Sequence, residues 1–278
     1  MKSVRAKPTA PAEDRTLAET AYRRLRGDLI AGRFLPGARL RSNELQAHYE
    51  LGLSPLREAL LRLASEGFVM AEGQRGFAVA PVSLAELEDL TRVRQRIEAI
   101  ALSEAIAHGD ADWEANILAA YHRLAREPMP ADPRDAAGAL GWELKHRAFH
   151  DALIAACHSP WLLRFHAQLV DHSERYLRAR LFDRPRDDTA LQPRRGGDEH
   201  RAIMQAVLDR DVGKAVSLMD QHITRTAQAA AQWIAASAVD KAAPGRKVAR
   251  ARARPAAGAA SARAFAGQRV SLGRSSGS

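Results

Sequence analysis

Cysteine is almost absent from this 278-residue chain, and its one thiol, Cys157, excludes an intramolecular disulfide and any cysteine-rich zinc ribbon. That scarcity suits a reducing compartment. Cys157 closes the apolar helical stretch ALIAAC, where it reads as buried filler rather than as a nucleophile. No run of about 18 apolar residues is present to cross a membrane, and the N-terminus lacks the apolar centre of a signal peptide. The expectation is a soluble cytoplasmic protein. Also missing are GxGxxG, GxxxxGK[ST], GxSxG and any internal repeat, so nothing points to a nucleotide-dependent enzyme, an α/β-hydrolase or a solenoid.

Acidic residues are missing from the whole C-terminal stretch. Lys and Arg number 42 against 33 Asp and Glu, but nine of the basic residues fall at 241–278, where no acid occurs. Removing those nine leaves 33 against 33. The expected folded body is therefore neutral, and residues 238–278 form a basic Ala/Gly/Arg/Ser tail that cannot build a core. Two uses fit such a tail: sequence-independent phosphate contacts that weaken with salt, or mere solubilisation.

Residues 1–15 are polar, contain Pro8 and Pro11, and read as a disordered arm. Order is expected from Thr16, which with Glu19 has capping-box spacing; Leu17, Ala21, Leu25 and Leu29 then form one apolar stripe. Gly32 and the Leu35-Pro36-Gly37 turn end that helix. A second short helix, capped by Ser42, runs to Tyr49. A third starts with Ser54 as its cap and Pro55 at its first position, buries Leu56, Leu60 and Leu63, and stops at Gly67. Phe68–Met70 and Phe77–Ala80, separated by a glycine-bounded turn, read as a β-hairpin. Three helices and a hairpin in that order predict a winged helix-turn-helix over 16–81.

Beyond it, residues 82–237 carry helical periodicity almost throughout. Ser83 and Glu86 repeat the capping box, and Val82 and Leu87 are spaced for a hydrophobic staple. Helices are expected near 84–107, 111–126, 136–157, 160–182, 198–209 and 212–236. The breaks fall at His108-Gly109, Pro128/Pro130/Pro133, Ser159-Pro160, the loop 183–197 and Asp211. The fold class is mainly α: a winged helix followed by an all-α bundle.

The segment LGLSPLREALLRLASEGFVMAEGQRGFAVAP at 51–81, with Tyr22, Leu25, Arg26, Ile30, Gly32, Pro36, Gly37 and Leu40 before it, resembles the DNA-binding half of the GntR family. Such a domain lays its third helix in the major groove, where Arg57 near the helix start can meet a guanine edge or a phosphate and Arg62 lies one turn on. Arg75 at the hairpin tip, beside Gly76, suits the minor groove or the backbone. Ser42 and Ser54 offer phosphate contacts at helix starts. Leu53 stands where the family usually has a further arginine, which predicts thinner base readout or an apolar contact to a thymine methyl.

Four of the ten histidines form a second pattern. His146 and His150 are one turn apart on a predicted helix, His200 begins another and His222 lies inside the last. Four neutral imidazoles meeting inside a bundle suit a divalent first-row ion, Zn or Ni above all; read alone they suit unrelated core or surface histidines as well. Residues 84–230 resemble the FCD ligand-binding domain of the FadR-type GntR branch, whose metal-binding members place DxxxH on one helix and single histidines on the last two. His150, His200 and His222 match that pattern, and His146 stands in place of the aspartate.

The same resemblance places Arg94 against the metal cavity, where an arginine can hold a carboxylate; a surface pair with Glu98, one turn on, is the alternative reading. Within this branch SPLREAL, EGQRGF and DRDVGKA look closest to carbon-starvation-induced or glutarate-operon regulators. The implied protein is no enzyme. It is a homodimeric transcription regulator on an inverted repeat, a repressor of a catabolic operon released by a small organic acid, a dicarboxylate such as glutarate or 2-hydroxyglutarate. Two rival readings fit less well. A metal-dependent hydrolase lacks the glutamate that HExxH would place between His146 and His150. A ligand-independent architectural protein would lose DNA affinity with salt for every sequence alike.

Overall fold

A computed structural model of the chain describes residues 16–127, 136–182 and 196–242. The N-terminal arm, the prolines at 128, 130 and 133, residues 183–195 and the tail from 243 onward lie outside the described residues.

The first domain runs α1 (Leu17–Ile30), β1 (Arg39–Leu40), α2 (Ser42–Tyr49), α3 (Leu53–Ser65), β2 (Val69–Ala71) and β3 (Phe77–Val79). Thr16 caps α1 as its spacing predicts, its Oγ1 accepting from the Glu19 N–H at 3.1 Å. Ala21, Leu25 and Leu29 of α1 meet Leu56, Leu60 and Leu63 of α3 in one apolar core closed by Phe68, Val69 and Val79. Leu17 departs from the expected stripe and is 63% exposed, because the first helical residue lies short of the surface that α3 covers. Ser42 and Ser54 are not caps. Arg41 and Gly52 occupy the cap positions, without side-chain hydrogen bonds, and between the two helices Glu50 turns the chain through a left-handed φ of 56°.

The hairpin is part of a three-stranded antiparallel sheet of order β1-β3-β2, in which Arg39 pairs with Ala78 and Leu40 with Phe77. A strand of two residues is too short to show alternation, so periodicity gave no sign of β1. The wing tip is a 3₁₀ turn at Gly73–Arg75, closed by Glu72 N–H to Gly76 O at 2.8 Å. Gly76 sits at φ 88°, a conformation that disfavours any side chain.

The second domain comprises α4 (Leu84–His108), α5 (Ala111–Ala125), α6 (Ala136–Leu153), α7 (Pro160–Phe182), α8 (Gly196–Leu208) and α9 (Val212–Ala242). Ser83 caps α4, and Val82 packs beside Leu87 as the staple requires. Asp110 caps α5 through the Trp113 N–H, and the Trp113 indole donates to Ala152 O at 2.9 Å, tying α5 to α6. α6 ends four residues earlier than expected, in turns that continue to Cys157. α9 runs on to Ala242, into residues expected to begin the tail. α4 lies along α7 and α9, while α5, α6 and α8 close the other side around Leu102, Ile117, Phe149, Leu153 and Ile203. Each such side chain, fully buried, contributes roughly 1.5–3 kcal/mol.

Candidate metal centre and nucleic-acid interface

Helical spacing sets His146 and His150 on one face of α6, and the packing of α8 and α9 brings His200 and His222 to meet them. One nitrogen from each imidazole lies within 4.8 Å of every other, and His146 Nε2 and His150 Nε2 are 3.1 Å apart. Two nitrogens sharing an ion at about 2.0–2.1 Å are separated by about 3.4 Å in tetrahedral geometry, close to the His146–His150 spacing, so these four residues could hold a first-row metal. Trp142, one turn before His146, stacks on it with ring centroids 4.7 Å apart, and Phe149 abuts His150 and His200.

Protonation favours the same use. Burial, then the neighbouring imidazoles and Arg94, holds His146 and His150 well below the ordinary imidazole range, which keeps them neutral and able to donate lone pairs. Burial also lowers His222, against the opposing pull of Glu199. His222 Nδ1 meets Glu199 Oε2 at 3.2 Å, and Arg225 holds the other Glu199 oxygen at 2.5 Å. That carboxylate fixes the His222 ring and leaves its Nε2 for an ion.

Arg94 is buried beside the cluster. Its Nε lies 3.5 Å from Glu98 Oε2, so the pair expected on the surface is formed inside the bundle instead. Arg94 therefore pairs with Glu98 in the interior, and its charge acts on His146, His150 and His222. With Thr91, Ser173, Leu177, Ile223 and Thr226 it lines a shallow recess that opens to solvent between α4, α7 and α9.

Glu98 itself is fully buried and accepts a 2.9 Å hydrogen bond from His166 Nε2, a residue that sequence reasoning passed over. Burial alone would raise the Glu98 carboxyl; His166 and Arg94 outweigh it and hold the group below its usual range. His166 has no partner histidine at helical spacing, so only the packing of α7 on α4 reveals its role.

In the first domain Arg57 projects from the start of α3, exposed and without an ion-pair partner among the described residues. Ser42, Ser54, Arg75 and Gly76 are exposed too. Arg62 has a different occupation. Its guanidinium lies 3.5 Å over the Tyr22 ring, donates to Glu19 at 2.8 Å and pairs with Glu66, joining α1 to α3. A side chain held by two carboxylates and a ring is less available to DNA than Arg57 is.

Comparison with known proteins agrees with both halves. Residues 17–79 match the profile of bacterial regulatory proteins of the gntR family, and residues 89–225 match the FCD domain. The chain is 37% identical over 221 residues to the HTH-type transcriptional regulator BphR of Paraburkholderia xenovorans, covering 78% of this chain and 86% of that one. It is 38% identical over 204 residues to the HTH-type transcriptional repressor GlaR of Escherichia coli, covering 73% and 90%. Among solved structures E. coli McbR/YncC superposes with a TM-score of 0.66 at 20% identity, over 79% of this chain and 99% of that one, a likeness of fold.

Proposed function

The chain belongs to the GntR family of bacterial regulatory proteins with an FCD domain, and from that premise we propose that it is a metal-anchored, carboxylate-responsive repressor. Family membership makes it a ligand-responsive, DNA-binding transcription regulator and not an enzyme, which disposes of the hydrolase reading. The single observation that carries the finer proposal is the meeting of four imidazoles beside a buried arginine.

His146, His150, His200 and His222 would hold Zn or Ni. Bound there, the ion supplies a positive centre with open positions that attracts an anion. Arg94 would take a carboxylate of the effector through its terminal nitrogens. A dicarboxylate such as glutarate or 2-hydroxyglutarate has the charge for both partners. Histidine in place of a carboxylate at 146 leaves the site more positive, which favours such an anion.

On the DNA side, Arg57, Arg75 with Gly76, and the exposed Ser42 and Ser54 would contact the operator. One winged helix reads only a few base pairs, so the regulator is proposed to act in the cytoplasm as a homodimer on an inverted repeat. The domain boundary is placed at Pro81, and the basic residues after 242 would add phosphate contacts that carry no sequence information. Repression follows the name of the GlaR relative.

The test is elemental analysis of the purified chain beside a His150→Ala/His200→Ala variant, followed by DNA binding. The expected result is close to one Zn or Ni per wild-type chain and none in the variant, with operator affinity falling about tenfold or more on adding the dicarboxylate. No bound metal after supplementation would remove the metal-anchored sensor.

A further inference from the structure

Asp171, on α7, is buried, with 7% of its side chain exposed, and it is shared by two arginines from different domains. Its Oδ1 accepts from Arg147 Nη1 of α6 at 2.5 Å. Its Oδ2 accepts from Arg26 Nη2 of α1 at 2.5 Å. Arg147 follows His146 directly and lies three residues before His150, so the helix that supplies half of the histidine cluster also supplies one grip on Asp171. Arg26 belongs to the first helix of the winged domain and holds Glu66, at the end of α3, with its Nε at 3.3 Å. The chain of contacts runs α6, Arg147, Asp171, Arg26, Glu66, α3.

Each arginine has a second carboxylate within its own domain. Arg147 has Asp151 at 3.7 Å and Glu174 at 3.5 Å; Arg26 has Glu66. Letting go of Asp171 therefore strands neither cation, which is what a two-state link requires. The contact also sits where α7 carries the DNA-binding domain. His172 donates to Glu66 O at 3.0 Å and stacks on Phe68 with centroids 4.3 Å apart, and Arg175 donates to Ala80 O at 3.0 Å. Stability alone is a poor reason for burying the shared carboxylate, since desolvation offsets much of the attraction.

We propose that Asp171 is the positioning residue through which α6, the helix of the histidine pair, sets the placement of the winged domain. A movement of α6 that draws Arg147 toward Asp151 or Glu174 removes the anchor that aims Oδ2 at Arg26, and α1 with α3 is freed to shift. The inference rests on the histidine cluster being the sensor, and its test separates the two.

Binding of the full chain to a duplex selected by the wild type from a random pool is measured with Zn²⁺ and after chelation. In the wild type the two conditions are expected to differ by about tenfold, and in Asp171→Asn the ratio falls to about one while Zn²⁺ is still retained. A ratio kept at its wild-type value in Asp171→Asn overturns the proposal. Amide exchange in Arg147→Gln gives a readout independent of metal. Arg147 has no hydrogen bond or ion pair to the first domain among the described residues, yet exchange in α1 is expected to rise about tenfold. If wild-type DNA binding ignores Zn²⁺, the metal reading fails, and exchange decides alone: faster α1 exchange sustains the link, and unchanged exchange overturns it.

Discussion

The two domains differ in what they bury. Of the nine polar or charged side chains buried among the described residues, eight lie beyond Ser83: Arg94, Glu98, His150, His166, Asp171, Arg175, Arg178 and His200. The winged domain buries Asp28 alone, and satisfies it with the Tyr49 hydroxyl and Arg33, each at 2.7 Å. Its interior is otherwise apolar, and its candidate DNA contacts are all on the outside. The bundle does the reverse, placing its chemistry inside. A buried polar group costs stability unless it is matched, so an interior so rich in them depends on its hydrogen bonds and ion pairs in a way the apolar one does not.

The sharpest way to break that contrast is to remove packing from the apolar side. Leu63 is fully buried between α1 and α3, and Leu63→Ala is expected to cost about 2–5 kcal/mol in urea unfolding, with loss of DNA binding. All four tryptophans, at 113, 142, 161 and 233, lie in the bundle. Their fluorescence should therefore follow the second domain while circular dichroism follows both. A tryptophan transition that moves as far as the dichroism would mean that the two interiors are one cooperative unit.

Metal removal probes the other side. With free Zn²⁺ at a thousandfold over its dissociation constant, binding adds about 4 kcal/mol to the bundle, and chelation takes it away. The tryptophan transition should fall and that of the winged domain should not. Acid adds a refinement. Without metal the folded state keeps His146 and His150 neutral, because burial and neighbouring imidazoles lower them well below an ordinary imidazole. The unfolded chain protonates them near pH 6.5. Below about pH 6.5 the unfolded state thus binds more protons, and the stability of the metal-free bundle falls as pH falls. His146→Leu/His150→Leu should flatten that slope; a slope unchanged in this variant would place the titrating groups elsewhere.

The same contrast explains what was legible in the sequence. Local signals carried well: the Thr16 and Ser83 caps, the Pro160 start of α7, the apolar stripe of α3, and the His146/His150 pair one turn apart. Distant histidines were reachable only through resemblance to the FCD pattern, because nothing local links His200 and His222 to α6. Partnerships made by packing left no trace in spacing. His166 with Glu98, Glu199 behind His222, and Asp171 between Arg26 and Arg147 each join residues more than 20 positions apart. Strand β1 was too short to show a period. The spacing that puts Arg62 on α3 gives no sign of its neighbours Glu19 and Tyr22, which come from a helix more than 30 residues earlier.

The smallest expected effects divide Arg57 from Arg62, two arginines on one helix that differ in what they touch. Arg57 has no ion-pair partner within the described residues, so Arg57→Ala should leave unfolding nearly unchanged and weaken binding of the selected duplex by about 1–3 kcal/mol. Arg62, itself half-exposed, is engaged by Glu19, Glu66 and the buried Tyr22 ring, so Arg62→Ala should cost at most about 1 kcal/mol of stability. Its effect on DNA should be the lesser of the two, since the truncation releases a strut between α1 and α3 rather than a contact to the duplex. Competition binding of both variants against wild type, at one salt concentration and alongside urea unfolding, separates these roles. An Arg62→Ala loss of DNA affinity equal to that of Arg57→Ala, at wild-type stability, would return Arg62 to the contact surface and make its pairs with Glu19 and Glu66 a resting state that DNA displaces.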